Sequence, residues 1–257
     1  MRSAKGEGTN AEEDFSTTTP SSYLTLTGVT IRHLGCVDYD AATLLQEQLV
    51  AARRAGQVPD MLLLCEHPPV ITLGRGFHPE HLLLTPEQLV ARGIQVRQAA
   101  RGGDVTYHGP GQLVGYPIVD LAPPDGDVHT DPQQPDGTGS GARPHRDVHA
   151  HLRGIEEMLI RLLAGYDLTG VRVPGRTGVW VGDAKVAAIG VAVRRWVTWH
   201  GFALNVGADL SAFDCIIPCG IRDRGVTSLS RLLRRPVSLV EVQDRLAELL
   251  RAPSGLA

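Results

Sequence analysis

Two side chains in this sequence could form a covalent bond and exchange a proton. Cys219, in "DCIIPCGI" (214–221), follows Pro218 and precedes Gly220, which sets a thiol on a tight turn open to a substrate. Lys185, in "GVWVGDAKVAAIGV" (178–191), is with Lys5 one of only two lysines among 25 basic side chains. A genome rich in G and C explains why lysines are few but not why this one remains. A lysine is a compact ammonium that can lose its proton when buried, whereas a guanidinium stays charged. "KVAAIGVAV" is apolar on both faces of a strand, so Lys185 stands at the mouth of a doubly buried segment. Burial there disfavours the charged amine and a neighbouring thiolate restores it. Each residue also has a plainer reading: Cys219 as a small buried hydrophobe, Lys185 as a strand-end side chain reaching solvent beside Asp183.

A third segment, "RGGDVTYHGPGQLVGYP" (101–117), could cradle a ligand. Gly102, Gly103, Gly109 and Gly111 let the backbone approach closely, while Arg101, Thr106, Tyr107 and His108 add polar groups. It matches neither a Walker loop nor a dinucleotide fingerprint, and a Gly-rich turn between two strands is the alternative. An RNA-binding reading rests on one RGG copy in an acidic chain. Cys215 and Cys219 lack the second ligand pair that zinc needs, and Cys215 reads as packing. His145, His149 and His151 read as a solvated loop, His67 as a loop residue near the Gly-rich region, and Trp196 and Trp199 as core or rim packing. The four cysteines, without a secretion signal, read as free thiols.

The elements that must position these groups can be sketched from periodicity. With 257 residues, 42% of them hydrophobic, the chain can bury a full core. A net charge of -3 gives no global attraction to nucleic acid or anionic membrane, and no apolar run spans a bilayer, so a cytoplasmic protein is expected. Residues 1–22 have the composition of a disordered tail, and about 122–147 that of a flexible surface insertion, which leaves a single catalytic domain over 23–257. Period-two patterns predict strands at 23–34, 61–65, 70–73, 94–98, 112–120 and several between 178 and 207. Helical periodicity predicts helices over 39–56, 147–166 and 238–252, the last two opening on Asp147 and Ser238 as caps. This mixed order argues for an α+β sheet with helices mainly on one face and against a doubly wound nucleotide fold.

Taken together, "EHPPVITLGR" (66–75), "RGGDVTYHGPGQLVGYPIVDL" (101–121), "GVWVGDAKVAAIGV" (178–191), "WVTWHGFALNV" (196–206) and "IIPCGI" (216–221) closely resemble the lipoyl(octanoyl) transferase family. The resemblance covers about residues 23–250. It implies a biotin/lipoate protein ligase-like fold (class II aminoacyl-tRNA synthetase/biotin synthetase-like), a mixed β-sheet flanked by helices. It implies transfer of an octanoyl group from octanoyl-acyl carrier protein to a lysine of lipoyl domains, those of 2-oxoacid dehydrogenase E2 and of the glycine cleavage H protein. No cofactor is called for; residue spacing gives no metal, charge and apolar run length give no nucleic acid and no membrane, and a monomer is the default. By motif, Cys219 matches the acyl-accepting cysteine and Lys185 the lysine that tunes it. The acyl-binding segments map to Arg101, Gly102, Gly103, Asp104, Val105, Thr106, Tyr107 and His108, to Ala188, Ile189 and Gly190, and to Gly201, Phe202 and Ala203. The tail and the insertion lie outside the family core, and Asp104 stands where other polar residues occur. The rival readings are an ATP-dependent lipoate or biotin ligase, which would not need Cys219, and a non-catalytic binding module, which would need neither Cys219 nor Lys185.

Overall fold

In the computed structural model, residues 26, 28–121, 146–218 and 225–251 are described. The expected tail, nearly all of the expected insertion, the start of the expected 23–34 strand, and Cys219 lie outside them.

The most apolar segments form the centre of a mixed eight-stranded sheet. β1 (Thr30–Cys36) pairs in parallel with β2 (Met61–Glu66), which pairs antiparallel with β6 (Gln112–Ile118). The order then runs through β10 (Val197–Asn205), β9 (Ala184–Arg194), β8 (Arg176–Val181) and β7 (Val171–Val173), with β11 (Gly225–Val226) laid parallel against β9. A smaller sheet has β3 (Val70–Leu73) between β4 (Gln95–Gln98) and β5 (Val105–His108).

Helices cover both faces of the large sheet, which corrects the expectation that they pack mainly on one. The reason lies in the strands: every residue of β6 and β10 is buried, so both faces need an apolar cover. On one face α3 (Val148–Ala164) and α5 (Leu239–Arg251) bring Ile155, Met158, Leu159, Leu246 and Leu250 against Leu62, Leu64, Phe202 and Leu204. On the other, α1 (Tyr39–Arg54) brings Ala42, Leu49 and Val50 against Leu63, Val114, Tyr116 and Ala203. Each Leu, Ile, Val, Met or Phe among them contributes about 1.5–3 kcal/mol when fully buried. The small sheet has its own core, where Ile71, Val105 and Tyr107 meet Leu89 of α2 (Pro86–Ala91) and Phe213.

The helices start where the caps were expected. The Asp147 carboxylate accepts from the Ala150 N–H at 2.9 Å, and the Ser238 hydroxyl accepts from the Glu241 N–H at 3.1 Å. Two short helices escaped the periodicity, α2 and α4 (Leu229–Leu233). For α2 the sequence carried a signal in its capping box, Thr85 with Gln88.

Candidate active site

One face of β6, β9 and β10 looks across to β5 and to the first turn of α1, and a cavity lies between them. Counted together with the open solvent at its mouth, the space comes to about 530 Å³. Its walls include Arg101, Gly103, Asp104, Val105, Thr106 and His108, then Lys185, Ala188, Ile189 and Gly190, then Gly201, Phe202 and Ala203. Segments expected to act together from three separate stretches of sequence thus meet around one space. Two of the expected residues do not line it. Gly102 ties the loop to the sheet through its N–H, which donates to the Val191 carbonyl at 2.9 Å. Tyr107 turns to the opposite side of β5 and packs edge-on against Phe213 with ring centroids 5.6 Å apart.

Lys185 reaches this cavity because β9 is irregular. In a regular strand Lys185 and Ala188, an odd number of residues apart, would face opposite sides. Opposite β8 the register runs Val179 with Ala187 and Trp180 with Lys185, which leaves Val186 as a bulge and restores the lysine to the cavity side. The side chain is 6% exposed, so it does not run out to solvent beside Asp183. Its Nζ donates to the Thr177 carbonyl at 3.2 Å and lies 5.0 Å from the centre of the Trp180 ring.

A second space of about 310 Å³ shares Thr106, Lys185, Ala188 and Ala203 with the first. Pro218, the chain neighbour of Cys219, lines it together with Phe213 and Val226. The three described cysteines, Cys36, Cys65 and Cys215, are free thiols. Burial pushes the Cys65 thiol far up, whereas Arg92 reaches the Cys215 sulfur at 3.5 Å.

Behind the walls runs a continuous chain of hydrogen bonds. Arg101 donates through Nη2 to the Thr72 hydroxyl at 2.8 Å, which in turn donates to His108 Nε2 at 3.4 Å. His108 donates through Nδ1 to Gln112 Oε1 at 2.8 Å, Gln112 to Asn205 Oδ1 at 2.8 Å, and Asn205 to the Thr227 carbonyl at 3.0 Å. The Thr227 N–H closes the run on the Lys185 carbonyl at 2.9 Å. Every donor has an acceptor only if His108 is neutral. Burial, followed by the charges of its neighbours, holds its pKa down at about 3.

Other wall residues gave no sequence signal of their role. Tyr39 stacks on His108, and Tyr116 and His200 complete the floor. Burial, then Arg101 and Arg75, lowers the His200 pKa to about 3, and burial holds both tyrosines in their neutral form. His67 lies, as expected, in the loop between β2 and β3 beside the Gly-rich segment, its ring 6.0 Å from that of His108, but it is not solvated. Fully buried, it donates through Nδ1 to the Val37 carbonyl at 2.6 Å and accepts from the Tyr116 hydroxyl at 2.7 Å. His151 is likewise buried in α3 rather than in a solvated loop, its pKa lowered to about 4 by burial; His149 is exposed and His145 lies outside the described residues. Trp199 is buried and Trp196 sits at a rim under Arg146, the packing roles expected.

Asp104, a wall residue of the cavity, has its carboxylate engaged within the protein. Its carboxylate contacts His81 Nδ1 at 2.5 Å and accepts from the His78 N–H at 3.2 Å. The His81 carbonyl then accepts from the Ile217 N–H at 2.8 Å, which braces the segment that runs in sequence toward Cys219.

The lipoyl protein ligase A/B catalytic domain family matches residues 38–134 and 140–251. The octanoyltransferase of Chloroflexus aggregans is 52% identical over 221 residues, 85% of this chain and 91% of that protein. The octanoyltransferase of Geobacter metallireducens is 48% identical over 84% of this chain and 89% of its own length. Among solved structures, lipoate-protein ligase A bound with ATP superposes with a TM-score of 0.61 at 17% identity, over 86% of this chain and 83% of that one. A bi-partite lipoate protein ligase from Thermoplasma acidophilum gives 0.59 at 14% identity, over 86% and 82%. At such identities the structures speak for a shared fold, a mixed sheet flanked by helices. The sequence matches go further: with about half of the aligned residues shared along nearly the full length of its relatives, the chain belongs to the lipoyl(octanoyl) transferase family, within the lipoyl protein ligase A/B catalytic domain class, and is an acyltransferase.

Proposed function

We propose that this enzyme moves an octanoyl group from octanoyl-acyl carrier protein to a specific lysine of lipoyl domains, including the glycine cleavage H protein, through a thioester on Cys219. One observation carries the reading: Lys185, buried and amine-bearing, lines two adjoining cavities, of which one is lined in part by Ala188, Gly190, Gly201 and Ala203 and the other in part by the chain neighbour of Cys219.

The donor is a thioester, so attack by the Cys219 sulfur on its carbonyl carbon exchanges one thioester for another at little cost in free energy. No ATP is needed. The acceptor amine then attacks the same carbon, the bond to Cys219 breaks, and the amide formed makes the whole strongly downhill. A free cysteine is only a few per cent thiolate at pH 7. Lys185 either stabilises the thiolate as an ammonium or takes the thiol proton as an amine. It returns a proton to the departing donor thiol and takes one from the incoming amine. Arginine supplies charge without that exchange.

In this reading the octanoyl chain lies among Ala188, Gly190, Gly201 and Ala203, under the loop from Arg101 to His108. The protein works as a cytoplasmic monomer; among the described residues no helix is long and apolar enough to cross a membrane.

The test is octanoyl transfer to a lipoyl domain from octanoyl-acyl carrier protein without ATP. The native enzyme is expected to transfer, and Lys185→Arg to lose about 100-fold or more in kcat, the size of a general acid–base contribution. ATP dependence together with an active Cys219→Ser variant would overturn the reading in favour of adenylate chemistry.

A further inference from the structure

The lysine that carries this chemistry is held by a peptide group, and that peptide group is held in turn. The Thr177 carbonyl, which accepts from Lys185 Nζ at 3.2 Å, belongs to the same planar unit as the Gly178 N–H. That N–H donates to Glu156 Oε1, from α3, at 3.2 Å. Glu156 is 1% exposed, and its other oxygen is taken up by Arg153 at 2.6 Å and Arg172 at 3.2 Å. The conformation needs glycine: Gly178 has φ of +126°, and a Cβ there would lie 2.6 Å from the Ala187 carbonyl oxygen and 3.4 Å from Lys185 Cε.

We infer that Glu156 is a positioning residue for Lys185, anchoring the Thr177–Gly178 peptide so that its carbonyl fixes the amine beside the thiol. The inference rests on the Cys219–Lys185 reading above. A tie between α3 and β7 alone does not account for a buried carboxylate at this place. Glu157, one residue on, already makes that tie, contacting Arg172 at 2.7 Å and Arg161 at 3.0 Å from a more exposed position. Taking a charge out of water is costly unless its partners are well placed, and here one oxygen serves the peptide alone. A carboxylate on the N–H side polarises the peptide and makes its carbonyl a stronger acceptor. That stronger acceptor holds the Lys185 amine in place more firmly.

The experiment is the rate of alkylation of Cys219 by iodoacetamide at pH 7, followed by peptide mass mapping with exposed Cys36 as internal reference. Four variants are compared once circular dichroism matches the native spectrum. Lys185→Ala and Glu156→Met, which fills a similar volume without an acceptor, should each slow alkylation about tenfold, the effect of one unit in the thiol pKa. Glu156→Gln, which keeps an acceptor oxygen, should fall between Glu156→Met and the native rate. Arg172→Met, which cuts the tie to β7 but leaves the anchor, should react like the native enzyme. The inference is overturned by a native rate in Glu156→Met beside a slow Lys185→Ala, or by Arg172→Met as slow as Glu156→Met. A native rate in Lys185→Ala overturns the dyad itself, so the two failures are told apart.

Discussion

At the scale of single residues, the site depends on histidines that stay neutral. The hydrogen-bond run from Arg101 to the Lys185 backbone has a consistent direction only with an uncharged His108, and His200 and His151 are held down in the same way. For all three the folded pKa, about 3 to 4, lies below the ordinary value near 6.5. Their contribution to stability is therefore complete above about pH 6.5 and is lost as pH falls through the window below it, where the unfolded chain binds protons that the folded chain refuses. Urea denaturation should show little change between pH 8 and 7 and a loss of about 4 kcal/mol between pH 7.5 and 5.5, roughly 1.4 kcal/mol for each imidazole. A flat profile over that range would contradict the assignment. Part of this chemistry was legible in the sequence: Lys185 by its rarity and apolar setting, Arg101 to His108 by polar groups among glycines. Thr72, Asn205, Tyr116 and His200 were not, because their roles come from partners far along the chain, such as Gln112 with Asn205.

At the scale of elements, two strands exchange side chains for space. Gly190 and Gly201 face each other in the β9–β10 register, and each makes room for a different neighbour. A Cβ on Gly190 would sit 3.0 Å from the Gly102 carbonyl oxygen and 3.1 Å from Arg101 Cδ, contacts that a loop and a side chain can relieve. A Cβ on Gly201 would sit 2.2 Å from the Gly115 carbonyl oxygen inside the sheet, where nothing can give. Gly201→Ala should thus cost more than the usual overpacking penalty of about 1–3 kcal/mol, and Gly190→Ala less, as read from thermal unfolding of the two variants. Equal losses would contradict this account of the walls. Period-two reading placed β2, β3, β6 and the 178–207 strands, but it treats strands as regular and so could not see the Val186 bulge that aims Lys185. It also missed β5, whose four residues are hidden between glycines, and of the 23–34 strand the described residues are extended only from Thr30, with β1 running on to Cys36. The helices on both faces follow from strands buried on both sides, a pattern present in "MLLLCE" and "QLVGYPI" but outweighed by the irregular order of elements.

At the scale of the whole molecule, a fold shared with a lipoate-protein ligase seen bound with ATP carries, in this reading, a chemistry that needs no ATP, because the activation already resides in the donor thioester. What distinguishes the two is a single covalent bond. Intact-protein mass spectrometry after mixing the enzyme with octanoyl-acyl carrier protein, without ATP or acceptor, tests it directly. The account predicts a gain of one octanoyl group, mapped to Cys219, released by hydroxylamine and lost in Cys219→Ala. The absence of that adduct, together with no octanoylated lipoyl domain when acceptor is supplied, would contradict it.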